Sequence, residues 1–290
     1  MKSRASVIIV VKNDRGIAAT LDALHPQITE THSEVIVVDS SLPNTLGDIR
    51  ASHPWARWEQ FPFSTMRTTP QQRNRGIELA MSDVIVFIDA NCIPAPGWLD
   101  ALLRRIDEGK AIVCGPVNDS SETNLVHYAP VIQKPTYVDV CTTINVGLKR
   151  DVIESIGGFD PSFRFGQDVD FFWRAADAGF KIFYDPKVAI SHDWGDASEQ
   201  LGRAFQYGKS RAHLFKKHWG TRRGQLLQEP HVWMYPVFIL GLPLTIWFPF
   251  YPLLVLVPLI KNRGTHPFSL TLHHLTYGIG VLAGVFTIWS

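Results

Sequence analysis

The sequence predicts an α/β protein built on a mostly parallel central sheet flanked by helices, followed by C-terminal hydrophobic membrane helices. Three observations carry this. Short β-branched runs alternate with helical patterns through the N-terminal third, polar residues recur at the ends of those runs, and the C-terminal fifth is much more apolar than the rest.

Residues 6–11 form a β-branched run that reads as a buried strand. Residues 13–16 turn the chain and 17–24 read as a helix. Residues 34–38 repeat the strand pattern and end in Asp39-Ser40-Ser41, and residues 55–61 suit a third strand. Residues 70–81 read as a helix with Pro70 near its start. Residues 83–88 are another strand, ending in Asp89-Ala90-Asn91. Such alternation implies a parallel sheet, whose ligands gather at the carboxyl ends of the strands. Asn13, Asp14, Asp39, Asp89 and Asn91 all fall there. Each alone suits an ordinary turn; five in one register point to a ligand edge. A dinucleotide site needs Gly-x-Gly-x-x-Gly after the first strand. The chain has Lys12-Asn13-Asp14-Arg15-Gly16 instead, which excludes a nicotinamide or flavin site of that type.

Further along, Val152, Ile153 and Ile156 mark a helix that Gly157-Gly158 stops. Phe159 and Phe163 anchor the next loop in a core. Asp168 then opens a helix carrying Phe171, Phe172 and Ala175 at helical spacing. A carboxylate there is held by free backbone N–H groups and the helix dipole, which suits an N-cap or a general base.

The apolar share of 46% supports a sizeable core, and a net charge of +1 argues against nucleic acid as a partner. Cys92, Cys114 and Cys141 show no metal spacing and suggest buried thiols in a reducing compartment. The N-terminal apolar run ends at Lys12-Asn13-Asp14, too short for a signal-peptide core.

The ordered set formed by the residue 6–14 opening, Val38-Asp39-Ser40-Ser41, Gln72-Arg73-Asn74-Arg75-Gly76, Asp89-Ala90-Asn91, Asn145, Gly157-Gly158-Phe159-Asp160 and Gln167-Asp168-Val169-Asp170 resembles the family 2 inverting glycosyltransferases of the GT-A fold. The resemblance covers roughly residues 5–195. It implies a nucleotide-sugar donor, a UDP-sugar foremost, whose base and ribose lie against Val11, Asn13 and Asp39, with Arg73 on the same face. Asp89 would touch the ribose. Asn91 stands where the family's second acid binds Mg²⁺ or Mn²⁺ beside the diphosphate, offering a neutral carbonyl in its place, and His192 would be another ligand. Asp168 matches the general base, with Gln167 in place of the usual Glu. Asn145 and Gly147 would contact sugar or acceptor, as would Gln167. Trp173 would stack on a sugar or pack in the core, and Asp170 is secondary.

The resemblance and the composition divide the chain into a catalytic domain, 1–197, a basic amphipathic juxtamembrane helix within 198–230, and a hydrophobic segment, 231–290. Leu201, Phe205, Leu214 and Phe215 mark one side of the middle helix, and Arg203, Lys209, Arg211, Lys216 and Lys217 the other, a pattern suited to an anionic membrane surface. Two apolar runs follow, 232–260 and 270–289, the first broken by five prolines. Each is long enough to cross a bilayer. A two-span hairpin is favoured over a re-entrant pair bending at Trp247-Phe248-Pro249, although the basic link 261–264 opposes it. The expected location is the cytoplasmic membrane, with the catalytic domain on its cytoplasmic face and a lipid or lipid-linked glycan as acceptor. The Asn91 and Gln167 departures also admit a non-catalytic sugar-nucleotide-binding membrane subunit. A nucleotidyltransferase would want a basic Gly-rich loop that the N-terminus lacks. No oligomeric state follows from the sequence.

Overall fold

A computed structural model describes residues 3–62, 68–120, 132–256 and 267–289. They divide into one unit formed by residues up to 120 and 132–193, and a second running from Trp194.

In the first unit the order is β1 (Ser6–Val11), α1 (Ile17–Thr31), β2 (Glu34–Asp39), α2 (Gly47–Ser52), β3 (Arg57–Gln60), α3 (Thr69–Leu79), β4 (Val84–Ile88), β5 (Cys92–Pro94), α4 (Trp98–Asp107), β6 (Ile112–Cys114), β7 (Val117–Asp119), β8 (Thr136–Val138), β9 (Asn145–Lys149), α5 (Arg150–Ile156), α6 (Gln167–Asp177), β10 (Ile182–Tyr184) and β11 (Ile190–His192). An eight-stranded sheet runs β3-β2-β1-β4-β9-β6-β10-β8, and a three-stranded sheet runs β5-β11-β7. Strands β3, β2, β1 and β4 are mutually parallel, as predicted. The sheet is nevertheless mixed, because β9 lies antiparallel between β4 and β6, and β8 is antiparallel to β10.

Helices cover both faces, so the central strands are apolar on both sides. In β1, Val7, Ile9 and Val11 join Leu21, Leu24, Trp98 and Leu102 in one core layer. Ile8 faces the other way, with Ile77, Val152, Phe171 and Phe172. Gly147 sits where β9 meets α4. A Cβ there would fall 2.4 Å from a Leu102 methyl, so only glycine lets the helix lie this close.

The second unit contains α7 (Ala197–Lys217), α8 (Trp219–Arg222), α9 (Pro230–Leu240) and α10 (Pro267–Trp289). Asp196 caps α7 by accepting from the Glu199 N–H at 2.9 Å. Helices α7 and α10 approach backbone to backbone. A Cβ on Gly208 would lie 2.0 Å from the Tyr277 carbonyl oxygen, and one on Gly280 2.1 Å from that of Phe205. Small residues at these crossings permit the contact, as in membrane helix pairs.

The two-span expectation is corrected here. The run from Val232 does not continue as one helix: α9 stops at Leu240, and two short 3₁₀ segments follow, Leu242–Ile246 and Tyr251–Leu256. Pro243, Pro249 and Pro252 remove the N–H groups that a continuing α-helix would need. An 11-residue helix reaches about 16 Å, short of the roughly 30 Å of a bilayer core. Residues 257–266, the rest of that run and the basic link, lie outside the described residues. Among the described residues one helix is long and apolar enough to cross a membrane, over Phe268–Thr287.

Candidate active site

The carboxyl ends of β1, β2 and β4 form one edge. Val11 pairs with Asp39 in register, and Asp89 directly follows β4 on the other side of β1. Asp39 and the β4 tip are therefore two strand spacings apart, about 10 Å, which is nucleoside size. Two side chains tie the first two tips together. Asn13, at φ 56°, accepts from the Leu42 N–H at 2.9 Å, and its own N–H donates to Ser41 Oγ at 2.7 Å. The buried Asp39 accepts from the Ser41 N–H through Oδ1 at 2.8 Å. Asp14 Oδ1 accepts from the Gly16 N–H, and a Cβ on Gly16 would lie 3.2 Å from Asn91 Cβ. The β1 turn thus rests against the β4 tip.

Arg73 joins this edge to the start of α6. It lies on the buried face of α3 and donates from Nη2 to Asp89 Oδ1 at 3.1 Å. Its guanidinium sits 5.7 Å from the Phe159 ring centre, and Phe159 stacks on Phe171 with centroids 4.5 Å apart. Asn74 clamps the same loop, bonding the Phe159 N–H and carbonyl at 2.8 Å each. Behind them the buried Asp170 pairs with Arg174 at 2.9 Å, and Arg174 donates to the Ile156 and Gly158 carbonyls. Asp170 is thereby part of the loop's support.

Asp168 is the second residue of α6. The cap position is Gly166, at φ 73°, which makes no side-chain cap bond, so the N-cap reading of Asp168 fails. Its Oδ1 accepts from the Val169 N–H at 2.9 Å. Burial pushes its carboxyl above the usual carboxylate range; the Arg73 charge pulls against this and the Asp89 charge adds to it. Phe171, in the first turn of α6, stacks on Phe159, beside which the Arg73 guanidinium lies, so α6 starts next to the Arg73–Asp89 pair. Gln167 Oε1 beside them is buried and has no hydrogen-bond partner. The thiol of Cys141 also faces this neighbourhood. Burial pushes it up, and the adjacent Cys114 and Asp168 push the same way, so it is an inert thiol.

Asn91 and His192 come together where β5 meets β11. His192 pairs with Cys92 in register, and Asn91 Nδ2 donates to the Asp193 carbonyl at 3.2 Å. Among the described residues no three His, Cys, Asp or Glu side chains form a ready metal cage. One amide oxygen and one imidazole suit a divalent cation that takes most of its ligands from phosphate oxygens, as Mg²⁺ does. The residues fit such an ion bound together with a nucleotide.

Four of the predicted contact residues, Val11, Asn145, Gly147 and Trp173, are buried. Val11 is buried, and its carbonyl accepts from the Ser40 N–H at 3.0 Å and Gln72 Nε2 at 3.3 Å. Asn145 borders the β4 tip but is 1% exposed and fully engaged. It accepts from Trp98 Nε1 at 2.8 Å and donates to the Pro116 and Val188 carbonyls at 3.1 and 2.6 Å. Gly147 faces Leu102, and Trp173 is 3% exposed, which leaves no ring face for a sugar. Sequence reasoning quoted Gln72 and Asn74 in a motif but gave neither a role. Gln72 Nε2 bridges the Val11 and Val38 carbonyls, holding β1 and β2 at the tip. The available signal was that polar residues on the buried face of α3 must find partners. Two hollows, one lined by Trp58 and Pro54 beside α2 and the other by Lys110, Tyr137 and Lys181, include none of the strand-tip acids.

This arrangement is that of the GT-A glycosyltransferases. The solved mannosyltransferase PcManGT from Pyrobaculum calidifontis, in complex with GDP-Man and Mn²⁺, superposes with a TM-score of 0.73 over 99% of this chain and 88% of its own, at 15% identity. GalNAc-T7 with UDP, GalNAc and Mn²⁺ gives a TM-score of 0.55 over 72% of this chain and 51% of its own, at 14% identity. The chain belongs to glycosyl transferase family 2, whose profile matches residues 6–157. Among curated relatives, it is 27% identical over 203 residues to the pre-mycofactocin glycosyltransferase of Mycobacterium tuberculosis, covering 63% of this chain. It is also 26% identical over 227 residues to glycosyltransferase AglE of Haloferax volcanii, covering 72% of this chain and 73% of AglE. The chain spans 43% of the mycobacterial relative's length.

Proposed function

We propose that this protein transfers a sugar from a nucleoside diphosphate sugar, a UDP-sugar foremost, to the hydroxyl of a lipid or lipid-linked glycan, with inversion. The observation that carries this is the start of α6, which bears Asp168, next to the Arg73–Asp89 pair on the edge that also holds Asp39. Asp39 keeps one carboxylate oxygen beyond its turn bond for a base N–H or ribose hydroxyl. Asp89 takes the ribose, and Asn13 holds the flanking turn in place. Asn91 and His192 would hold Mg²⁺ or Mn²⁺, which neutralises charge on the leaving diphosphate. Asp168 accepts the proton of the acceptor hydroxyl as its oxygen attacks the anomeric carbon opposite the diphosphate. The bond to the diphosphate breaks in the same step, so configuration inverts. Gln167, with its spare acceptor oxygen, accepts from a neighbouring hydroxyl of the donor sugar or acceptor. Incubation with a UDP-sugar and acceptor should release UDP; a donor and acceptor panel giving nucleotide binding but no turnover would favour the non-catalytic subunit reading.

The second unit supplies the membrane contact in this account. Residues 230–260 contain no Asp, Glu, Lys or Arg. Within them Ile246, Trp247 and Phe250 are 78%, 69% and 78% exposed. We place this surface and α10 in the cytoplasmic membrane, with the catalytic unit on the cytoplasmic face, where the free cysteines stay reduced. Ile246→Asp with Phe250→Asp should lower partitioning of the purified protein into phosphatidylglycerol vesicles at least tenfold; unchanged partitioning would remove this surface from the membrane contact.

A further inference from the structure

Helix α10 is long and apolar enough to span a bilayer over Phe268–Thr287, yet it packs as a core helix does. Those 20 residues rise about 30 Å, the full depth of the hydrocarbon. A spanning α10 would therefore put Tyr277 and Gly278 at the midplane. Both are already covered by protein. The Tyr277 carbonyl lies against Gly208 of α7, and Gly278 lies against Tyr235 and Pro236 of α9. Further along, Gly280 meets the Phe205 carbonyl and Gly284 the Lys209 carbonyl, and a Cβ on either glycine would fall 2.1 or 2.4 Å from that oxygen. His213 Nε2 reaches Thr287 Oγ1 at 3.4 Å. The two helices thus run side by side and in the same direction from Tyr277 to Thr287.

Helix α7 cannot follow α10 into hydrocarbon. It carries Glu199, Arg203, Lys209, Arg211, Lys216 and Lys217. Lys209 and Arg211 stand level with the middle of α10, and Arg211 donates to Glu229 at 2.9 Å, just before α9. Charges at that depth are costly. Parting α10 from α7 would forfeit the close approach that Gly208, Gly280 and Gly284 allow.

We propose that α10 does not cross the membrane. It lies with α7 and α9 along one surface, and residues 240–256 alone dip into the near leaflet. This rests on the membrane contact proposed above and fixes its topology. Leu240, Ile246, Trp247 and Phe250 are 62% to 78% exposed, in a stretch free of Asp, Glu, Lys and Arg. The two 3₁₀ segments there reach only about 10–12 Å each. Their open turns leave backbone groups that hydrocarbon cannot satisfy, which keeps them at the headgroup boundary. The chain beyond α10 then stays on the side where α7 begins.

The test is the sidedness of reporters fused after Ser290 of the full chain in a bacterial host, with the membrane fraction assayed in parallel. A fluorescent protein there should emit. Alkaline phosphatase, active only after export, should give at most a tenth of the activity it shows behind an exported span. An active phosphatase with lost fluorescence means that α10 crosses; it overturns the proposal and leaves the membrane contact standing. A chain recovered wholly in the soluble fraction sinks the membrane contact and the proposal with it. Gly280→Leu gives a second reading, in the purified chain in detergent micelles. It makes α10 more apolar, so a lipid-facing span keeps its melting temperature, whereas a helix wedged away from α7 melts lower. An unchanged melting temperature would overturn the packing from which the proposal is drawn. The wild-type reporters decide where that variant does not fold.

Discussion

Replacing Asp168 by Asn lowers the transfer rate about 10²–10⁴-fold, the span over which a positioned general base contributes, and leaves nucleotide affinity near that of the wild type. The amide keeps the side chain's shape and its bond from the Val169 N–H, but it cannot take the acceptor's proton. The wild-type rate should fall on acidification through a pKa above the ordinary carboxylate value, because burial raises it. The same shift has a stability consequence of opposite sense to that of most native acids. A carboxyl whose folded pKa exceeds its unfolded one binds protons more tightly in the fold. Its contribution is therefore present at low pH and is lost as pH rises from the unfolded value through the folded one. Asp168→Asn removes that loss. It should melt higher than the wild type at pH 7–8, with the difference closing toward about pH 4. Normal turnover by the variant, measured as nucleoside diphosphate release, would take Asp168 out of the mechanism.

Asn145→Ala should cost about 3 kcal/mol of stability or more. It strands a buried indole N–H and two carbonyls, each worth roughly 1–3 kcal/mol when left unpaired. Asn145 starts β9, receives Trp98 from α4, and binds the carbonyls of Pro116 and Val188 beside the second sheet. Its loss loosens the joint between the two sheets of the first unit. Denaturant unfolding followed by tryptophan fluorescence measures this. A variant of wild-type stability with a raised KM for the sugar would reverse the assignment and make Asn145 a ligand contact.

The N-terminal strands were legible because buried parallel strands are continuous β-branched runs, and β1, β2 and β4 are such runs. Their tips were legible for the same reason: acids at Asp39 and Asp89 interrupt apolar stretches where no core needs them. Strands β5, β6, β7, β8 and β10 were not, since three residues carry no measurable period. The start of α6 was placed within one residue by the spacing of Phe171, Phe172 and Ala175 behind Asp168. Polar residues adjoining the site were the hard part. Asn145 and Arg73 look alike as polar residues in a motif, and only coordinates separate a side chain with every bond satisfied from one with a donor in reserve. In the C-terminal part, hydropathy counted apolar residues correctly, but the prolines decided how they fold.

Calorimetric titration of the full chain with UDP and with GDP, each with Mn²⁺, against wild type, Asp39→Ala and Asp89→Ala tests the shared edge most directly. One nucleotide should bind the wild type, raising its stability by about 2.7 kcal/mol at a hundredfold excess over Kd, and each substitution should weaken it at least tenfold. Binding that survives both substitutions, or no binding by either nucleotide, would contradict a single nucleotide site at the tips of β2 and β4.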